Sequence, residues 1–314
     1  MNAEKSTILM YGSPASPVIS YLNQYFSKHS KKPVIFIHQE TFLTQTKLTF
    51  SINQNLFKGH FTLPDNTLLN FDDISGVCME NQFVSSYGFT ELSDKDKQYV
   101  QTEGWAALLS AASGLTRQCA VLNPLPKMDL SMGRGGNILL LQKCGFDAPH
   151  FLITSDPETA KEFYQTWNGQ VIYKHVKDPD SAFKKMTPLD LQRIEKIAYC
   201  PVHFEEFSPG KVIRLIVIHQ ETFGFEESLN PAGTLTLLPY HLEEKWKSQG
   251  LQLSQDMGAP LLEIRLKITP DQKCQGLGIH PFANLPVLTF TDENGNSPAA
   301  EAILKVLEQG EPLS

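Results

Sequence analysis

Long hydrophobic runs are missing from this 314-residue chain. One of the longest, VIRLIVI at 212–218, holds seven residues and includes Arg214. A bilayer-spanning helix needs about 20 apolar residues, so no membrane span is expected. The N-terminus, MNAEKSTILMYGS, runs into Gly, Ser and Pro with no signal-peptide apolar core or cleavage pattern, and the cytoplasm is the expected compartment. Clustered positive charge is missing too. The formal net charge is −7 and no Lys/Arg run occurs, which argues against nucleic acid or an anionic membrane as partner, because phosphate recognition needs grouped cations. Cysteine is sparse. Cys78, Cys119, Cys144, Cys200 and Cys274 are scattered, odd in number and form no CxxC or Cys/His cluster. A disulfide framework or zinc site is therefore not expected, and the five read as small buried apolar residues. Catalytic signatures are also lacking: the nine histidines form no HxH or HExxH pair, and Ser13, in YGSPASP, has no GxSxG context.

What is present is an ordinary globular composition, 41% hydrophobic and 19% charged, in a chain long enough for two or three packed subdomains. TILMYG (7–12) reads as a buried strand, VISYLNQYFSKH (18–29) carries apolar residues at helical spacing, and PVIFIHQ (33–39) is a second strand. KLTFSIN and HFTLPD alternate as hairpin strands do, and ISGVCM (74–79) adds a strand. A helix is expected over 94–114, capped at Ser93-Asp94, then a strand over 119–126 that ends in prolines and marks a subdomain boundary. The second half predicts a helix at 137–146, a strand, and a helix opened by Asp156-Pro157 with Asp as N-cap and Pro at the first helical position. A strand at 169–176 with one lysine follows, then a helix at 188–197. CPVHFEEFSPGKVIRLIVIHQETFGFEE then reads as a strand, a Pro-Gly turn and two strands around His219-Gln220. A polar helix at 241–258, a strand–turn–strand over 265–281 and a last helix ended by Gly310 complete the pattern.

The order of these pieces is specific. A helix ending in KCGFDAP, the strand FLITSDPE, VIYKHV, CPVHFEEFSPGKVIRLIVI and LLEIRLKITPDQKCQGLGIHP follow one another as in the ATP-grasp superfamily. The chain most resembles the microviridin-type peptide-maturing ligases, which form ester or amide crosslinks through acyl-phosphates. The resemblance covers roughly residues 100–310. It implies an α/β (α+β) ATP-grasp-like fold with an N-terminal α/β domain over 1–125, a central subdomain over 126–200 and a C-terminal subdomain over 201–314.

It also implies a set of site residues. Lys174, in VIYKHV, stands at the phosphate-binding strand lysine. Arg134, in MGRGGN, stands near a lysine of the family, beside glycines that would let backbone amides approach a phosphate; a flexible loop is the alternative. FEEFSPG matches the hinge whose backbone holds the adenine edge, with Glu205 and Glu206 there as adenine-side candidates or as solvated linker charges. Arg214 matches a phosphate-facing arginine and, in an apolar strand, otherwise needs a buried acidic partner. Several positions depart from the family pattern. Val212 replaces the ribose-binding acid. The metal motif, Asp then Glu-x-Asn-Pro, aligns with Arg265, Gly278 and His280 before Pro281. Magnesium takes hard oxygen ligands, which an arginine and a glycine do not supply and an imidazole matches poorly. Glu263, on the same strand face as Arg265, would pair with it or supply one carboxylate. HVKDPDSAFKKM lacks a Gly-rich lid, and EESLNPAGTLTLLPY lacks the Asp-Trp-Arg element of the resembling ligases.

Three readings stand on these residues, the third being a nucleotide- or anion-sensing module without turnover, which needs only the positive cleft. The first is an ATP-grasp-fold protein with decayed magnesium and ribose sites. It would serve as a binding or scaffold partner for a peptide or for an active ATP-grasp paralogue in a peptide or natural-product modification pathway, with a homodimer also open. The second is a divergent ATP-dependent carboxylate–amine or carboxylate–alcohol ligase using Lys174, Arg214 and Arg134 on the phosphates. No cofactor is fixed by these residues; ATP is the candidate, and magnesium is not expected.

Overall fold

The computed structural model describes residues 5–54, 56–79, 88–124, 133–176, 183–229 and 235–313, with the Arg134 side chain outside them. The first unit is a parallel sheet of β1 (Thr7–Gly12), β2 (Val34–His38), β6 (Ile74–Met79) and β7 (Ala120–Leu122), in the order β2-β1-β6-β7. All six residues of β1 are buried, as expected of a parallel strand covered on both faces. One face packs on α1 (Pro17–His29), whose Ile19, Leu22 and Phe26 point inward from a start capped by Ser16. The other face packs on α3 (Asp94–Leu115) and on an antiparallel sheet of β3 (Lys47–Asn53), β4 (Leu56–Thr62) and β5 (Leu68–Asn70), with the short α2 (Phe42–Gln45) at the end of β2.

The remainder builds two antiparallel sheets. One, in the order β10-β9-β11-β8, comprises β8 (Phe151–Thr154), β9 (Val171–Lys174), β10 (Lys184–Lys185) and β11 (Val202–Glu206). It packs on α5 (Pro157–Thr166) through Ala160, Val171 and Phe204. The other, in the order β14-β13-β12-β15-β16, holds β12 (Lys211–Ile218), β13 (Glu221–Leu229), β14 (Leu235–Pro239), β15 (Leu261–Ile268) and β16 (Cys274–His280). The expected two-residue turn between β12 and β13 forms at His219-Gln220, with His219 at φ 54. Ile213, Leu215, Val217, Leu262, Ile264 and Leu266 take one face of this sheet, toward α4 (Gly133–Lys143) and α7 (Glu244–Met257). Their alternation with Val212, Arg214, Glu263, Arg265 and Lys267 turns that charged row to the opposite face.

Several boundaries differ from the sequence expectation. The helix expected at 137–146 starts earlier, at Gly133, so the glycines read as a loop lie in its first turn. The helix expected over 188–197 is one turn, α6 (Pro188–Leu191), followed by a 3-10 stretch at Ile194–Tyr199. Thr187 and Asp190 form a capping box, but a periodic segment this short has too few turns to sustain an α-helix. The strand expected over 119–126 is three residues long, ending before Asn123 and Pro124, and positions 125–126 lie outside the described residues. Of the cysteines, Cys78, Cys119 and Cys274 are buried, while Cys144 is half-buried and Cys200 is exposed after the 3-10 stretch. Among the described residues no helix is long and apolar enough to cross a membrane.

The last helix, α9 (Pro298–Gln309), joins the first unit to the five-stranded sheet. Ala299, Ala300, Ile303, Val306 and Leu307 share one cluster with Ile8, Met10, Leu122, Ile216 and Ile218. The α8 turn (Leu285–Leu288) adds Val287 and Leu288 to the same cluster. Close approach at Gly76 permits this docking, because a Cβ there would sit 2.6 Å from the Leu307 Cα and carbonyl oxygen. Gly76→Ala should therefore cost about 1–3 kcal/mol through forced displacement of the helix backbone. Urea denaturation checks it, and an unchanged midpoint would show that α9 is not seated against β6 as described.

Candidate functional site

The four-stranded antiparallel sheet and the five-stranded sheet face each other across a cavity of about 630 Å³. Its walls combine Lys174 and Glu205 from β9 and β11 with Val212, Arg214, Glu227, Arg265, Lys267, Gly278 and His280 from the larger sheet. Asn137 from α4 and Asn284, just beyond β16, also line it. Four of these are charged and nearly buried: Lys174 is 5%, Arg214 7%, Lys267 8% and Glu205 0% exposed. Charges so shielded must be paired to be tolerated.

Sheet register fixes the pairing problem. Arg214 on β12 stands directly opposite Arg265 on β15, and Arg265 stands opposite Gly278 on β16. Like charges facing one another across a ladder are destabilising. The remedy is Glu227, two residues past Phe225, the cross-strand partner of Arg214 on β13, and thus its diagonal neighbour on the same face. One Glu227 oxygen accepts from Arg214 Nε at 2.9 Å and from Arg265 Nε at 3.1 Å, and the other accepts from Arg265 Nη2 at 3.2 Å. Below it, Arg214 Nη1 donates to Glu263 at 2.6 Å. Glu263 also accepts from the Asn284 backbone N–H at 2.8 Å and from its side-chain amide at 3.0 Å. Two arginines, two carboxylates and one asparagine form a continuous charge-assisted network.

On the facing wall, Lys174 lies with Nζ 4.6 Å from the Phe183 ring centroid, a cation–π contact. His203, opposite Lys174 in the ladder, and Glu205, two residues on, are fully buried, with His203 Nε2 3.4 Å from a Glu205 oxygen. The ladder between β15 and β16 shifts register after Arg265, so that Leu277 is bulged out and both Leu277 and Gly278 border the cavity.

The cavity thus gathers Lys174, Glu205, Arg214, Arg265, Gly278 and His280. Glu206 does not line it. It alternates with Glu205 along β11, and its backbone N–H donates to the His150 carbonyl at 3.0 Å. Arg134 lies in the first turn of α4, and its side chain is outside the described residues. The pairing expected between Glu263 and Arg265 is corrected: Glu263 takes Arg214 and Asn284, and Arg265 takes Glu227. Arg214 has the buried acidic partner its strand required. Sequence reasoning missed Glu227, Asn284, Asn137 and Lys267. The opposed arginines signal the need for an acid at Glu227, but only once strand register is known.

No protein-family model matches the sequence, and no curated protein matches it. Solved structures do. A Chryseobacterium gregarium RiPP-associated ATP-grasp ligase, solved with ADP and a leader and core peptide, superposes with a TM-score of 0.78 at 17% identity, over 96% of both chains. This chain has the ATP-grasp fold. The macrocyclase MdnC from Microcystis aeruginosa MRC, solved with the precursor peptide MdnA, gives 0.77 at 18% identity over 96% of this chain and 99% of that one. The ATP-grasp ligase PsnB, solved with a phosphomimetic variant of its minimal precursor, Mg and ADP, gives 0.74 at 18% identity over 98% and 99%. The structural likeness to peptide-maturing ligases extends along nearly the whole chain.

The network makes a stability prediction. Glu263→Leu removes the buried carboxylate under Arg214 and should cost about 3 kcal/mol or more. The double variant Arg214→Met/Glu263→Leu, which removes both charges, should recover most of that loss. Chemical denaturation of the three proteins checks it, and a single variant as stable as wild type would mean the pair is not buried as described.

Proposed function

We propose that this protein is a non-catalytic ATP-grasp-fold partner in a peptide-modification pathway, whose cleft binds an anionic ligand, a nucleotide foremost, without magnesium. The observation that carries this reading is the Glu227–Arg265 pair at the family's metal position. A guanidinium stands where the fold's ligases would keep a carboxylate. Gly278 brings no ligand atom, and His280 brings an imidazole, while magnesium calls for hard oxygens. Glu227 and Glu263 already accept from arginines, and the remaining carboxylate, Glu205, lies on the facing wall beside His203. Among the described residues no three His, Cys, Asp or Glu are grouped to hold a metal ion. The donor set does not fit magnesium, and no step through it follows.

In this reading Lys174, Arg214 and Arg265 supply the positive charge for ligand phosphates, and Glu227 is the internal anion that a phosphate displaces. Val212, at the ribose position, supplies no hydrogen bond. Units 126–200 and 201–314 enclose the ligand, with 1–125 beside them. The precursor peptides solved with MdnC and PsnB support a peptide as the macromolecular partner here, with an intact ATP-grasp ligase performing the chemistry. A second reading, a divergent ATP-dependent ligase, is supported by one observation: Lys174 and Arg214 both line the cleft. There Arg265 would act as a fixed cation in place of a metal.

A titration tests the first reading. Wild-type protein titrated with magnesium or manganese should show no site at this hairpin, whereas Arg265→Asp/Gly278→Glu/His280→Asn should bind the divalent ion. A wild type that already binds a divalent ion there would refute the reading.

A further inference from the structure

The carboxyl end of the N-terminal sheet holds buried polar atoms that the cleft does not use. Tyr11, near the end of β1, is 1% exposed, and its hydroxyl has no hydrogen-bond partner among the described residues. The ring is fixed edge-on against Phe42, with centroids 5.7 Å apart. Glu40 lies in the turn after β2. One of its oxygens accepts the Ser13 hydroxyl, and the other, Oε2, is buried with no partner among the described residues. Ser13 is buried in turn, and its Oγ accepts from the Ala15 N–H at 3.2 Å, which anchors it to the turn into α1. Burial, and then the nearby Glu40 charge, push the Tyr11 phenol up, so it is protonated and neutral at physiological pH.

Native proteins leave few buried polar atoms unpaired, so such atoms need an explanation. An unpaired carboxylate oxygen near a neutral hydroxyl is complementary to an N–H donor, most strongly to a charged one. Their place in the fold agrees. Open parallel sheets take ligands at the carboxyl ends of their strands, where strand order switches. Here the chain leaves β1 for β2 on one side and returns to β6 on the other, so the switch lies at β1. Tyr11, Ser13 and Glu40 sit at that end.

This end also adjoins the cleft. Asn123, just after β7, accepts from the Leu261 N–H at 2.9 Å, and its amide donates to the Leu261 carbonyl at 2.7 Å and to the Pro281 carbonyl. Phe282 packs on the cluster that contains Tyr11 and Phe42. Two residues later Asn284 holds Glu263. One short segment, 281–284, therefore runs from the carboxyl end of the N-terminal sheet to the anion cleft.

The geometry points to a second binding site, in which Glu40, with Tyr11 and Ser13, takes a cationic nitrogen group, a primary ammonium such as a lysine side chain. The site serves one charged group of its ligand. It stands apart from the nucleotide reading, because its ligand is a cation and its residues lie outside the cleft.

The test uses the full chain and three capped amino acids: N-acetyl-lysine methylamide, its uncharged norleucine analogue and the arginine analogue, each titrated by NMR. Wild type should bind the lysine probe at least about tenfold tighter than norleucine, the range of one charge-assisted hydrogen bond. Glu40→Gln should reduce that preference to under about twofold, and Tyr11→Phe should weaken the lysine probe while keeping the preference. An arginine probe that binds tighter than lysine supports the site with guanidinium as its ligand. Equal binding of lysine and norleucine by wild type overturns the proposal, as does an unchanged preference in Glu40→Gln. Circular-dichroism melts show whether Glu40→Gln is folded; should it fail to fold, Ser13→Ala, which frees the Glu40 carboxylate without removing it, must change lysine affinity or the proposal falls. A parallel ATP titration separates the two readings, since the lysine preference is expected whether or not ATP binds.

Discussion

Glu227 is the residue on which the rest of the cleft depends. Arg214 and Arg265 face one another across neighbouring strands, and two unit charges about 5 Å apart at an effective dielectric of about 20 repel by about 3 kcal/mol. Glu227 contacts both guanidiniums, with bonds to Arg214 Nε and to Arg265 Nε and Nη2. With that carboxylate in place, Arg214 can reach down to Glu263, and Glu263 can hold Asn284. Without it, two cations would share one ladder position in a wall closed on its other face by Leu215, Ile264 and Leu266.

The same arrangement sets the chemistry. A network that is already neutral attracts no further cation, and its guanidiniums prefer oxyanions. In the proposed reading a ligand phosphate would replace Glu227, exchanging one anion for another on the same two arginines, with Lys174 on the opposite wall. In that reading the ATP-grasp fold is kept while its last hairpin carries an arginine in place of a metal-binding carboxylate. The pairing of Arg265 with Gly278 across the hairpin leaves room for the guanidinium, since glycine offers no side chain there.

Much of this was legible in the sequence. The order of strands and helices, the turn at His219-Gln220, the Asp156-Pro157 helix start and the Gly310 stop all follow from local patterns, because each depends on residues within a few positions. Lys174, Arg214 and positions 265, 278 and 280 were singled out by the resemblance to the ATP-grasp family, and the structure brings them to one cavity. Glu227 and Asn284 were not readable. Their roles arise from the register between β12, β13 and β15 and from the path after β16, which couple residues 13 to 49 positions apart. Glu206 shows the opposite error: it sits next to Glu205 in sequence, but strand alternation turns it away. The helical turn at 188–191 was over-extended because periodicity over ten residues does not distinguish an α-helix from a turn followed by a 3-10 stretch.

The central claim is that the cleft binds anions through arginine and lysine without a metal. Calorimetric titration of ATP into the wild-type protein, with excess EDTA and again with excess magnesium, tests it most directly. The account predicts binding in EDTA, with magnesium changing the affinity by less than about threefold, a difference below 1 kcal/mol. Binding that appears only with magnesium, or tightens a hundredfold with it, would contradict the account and show that the hairpin holds a metal after all.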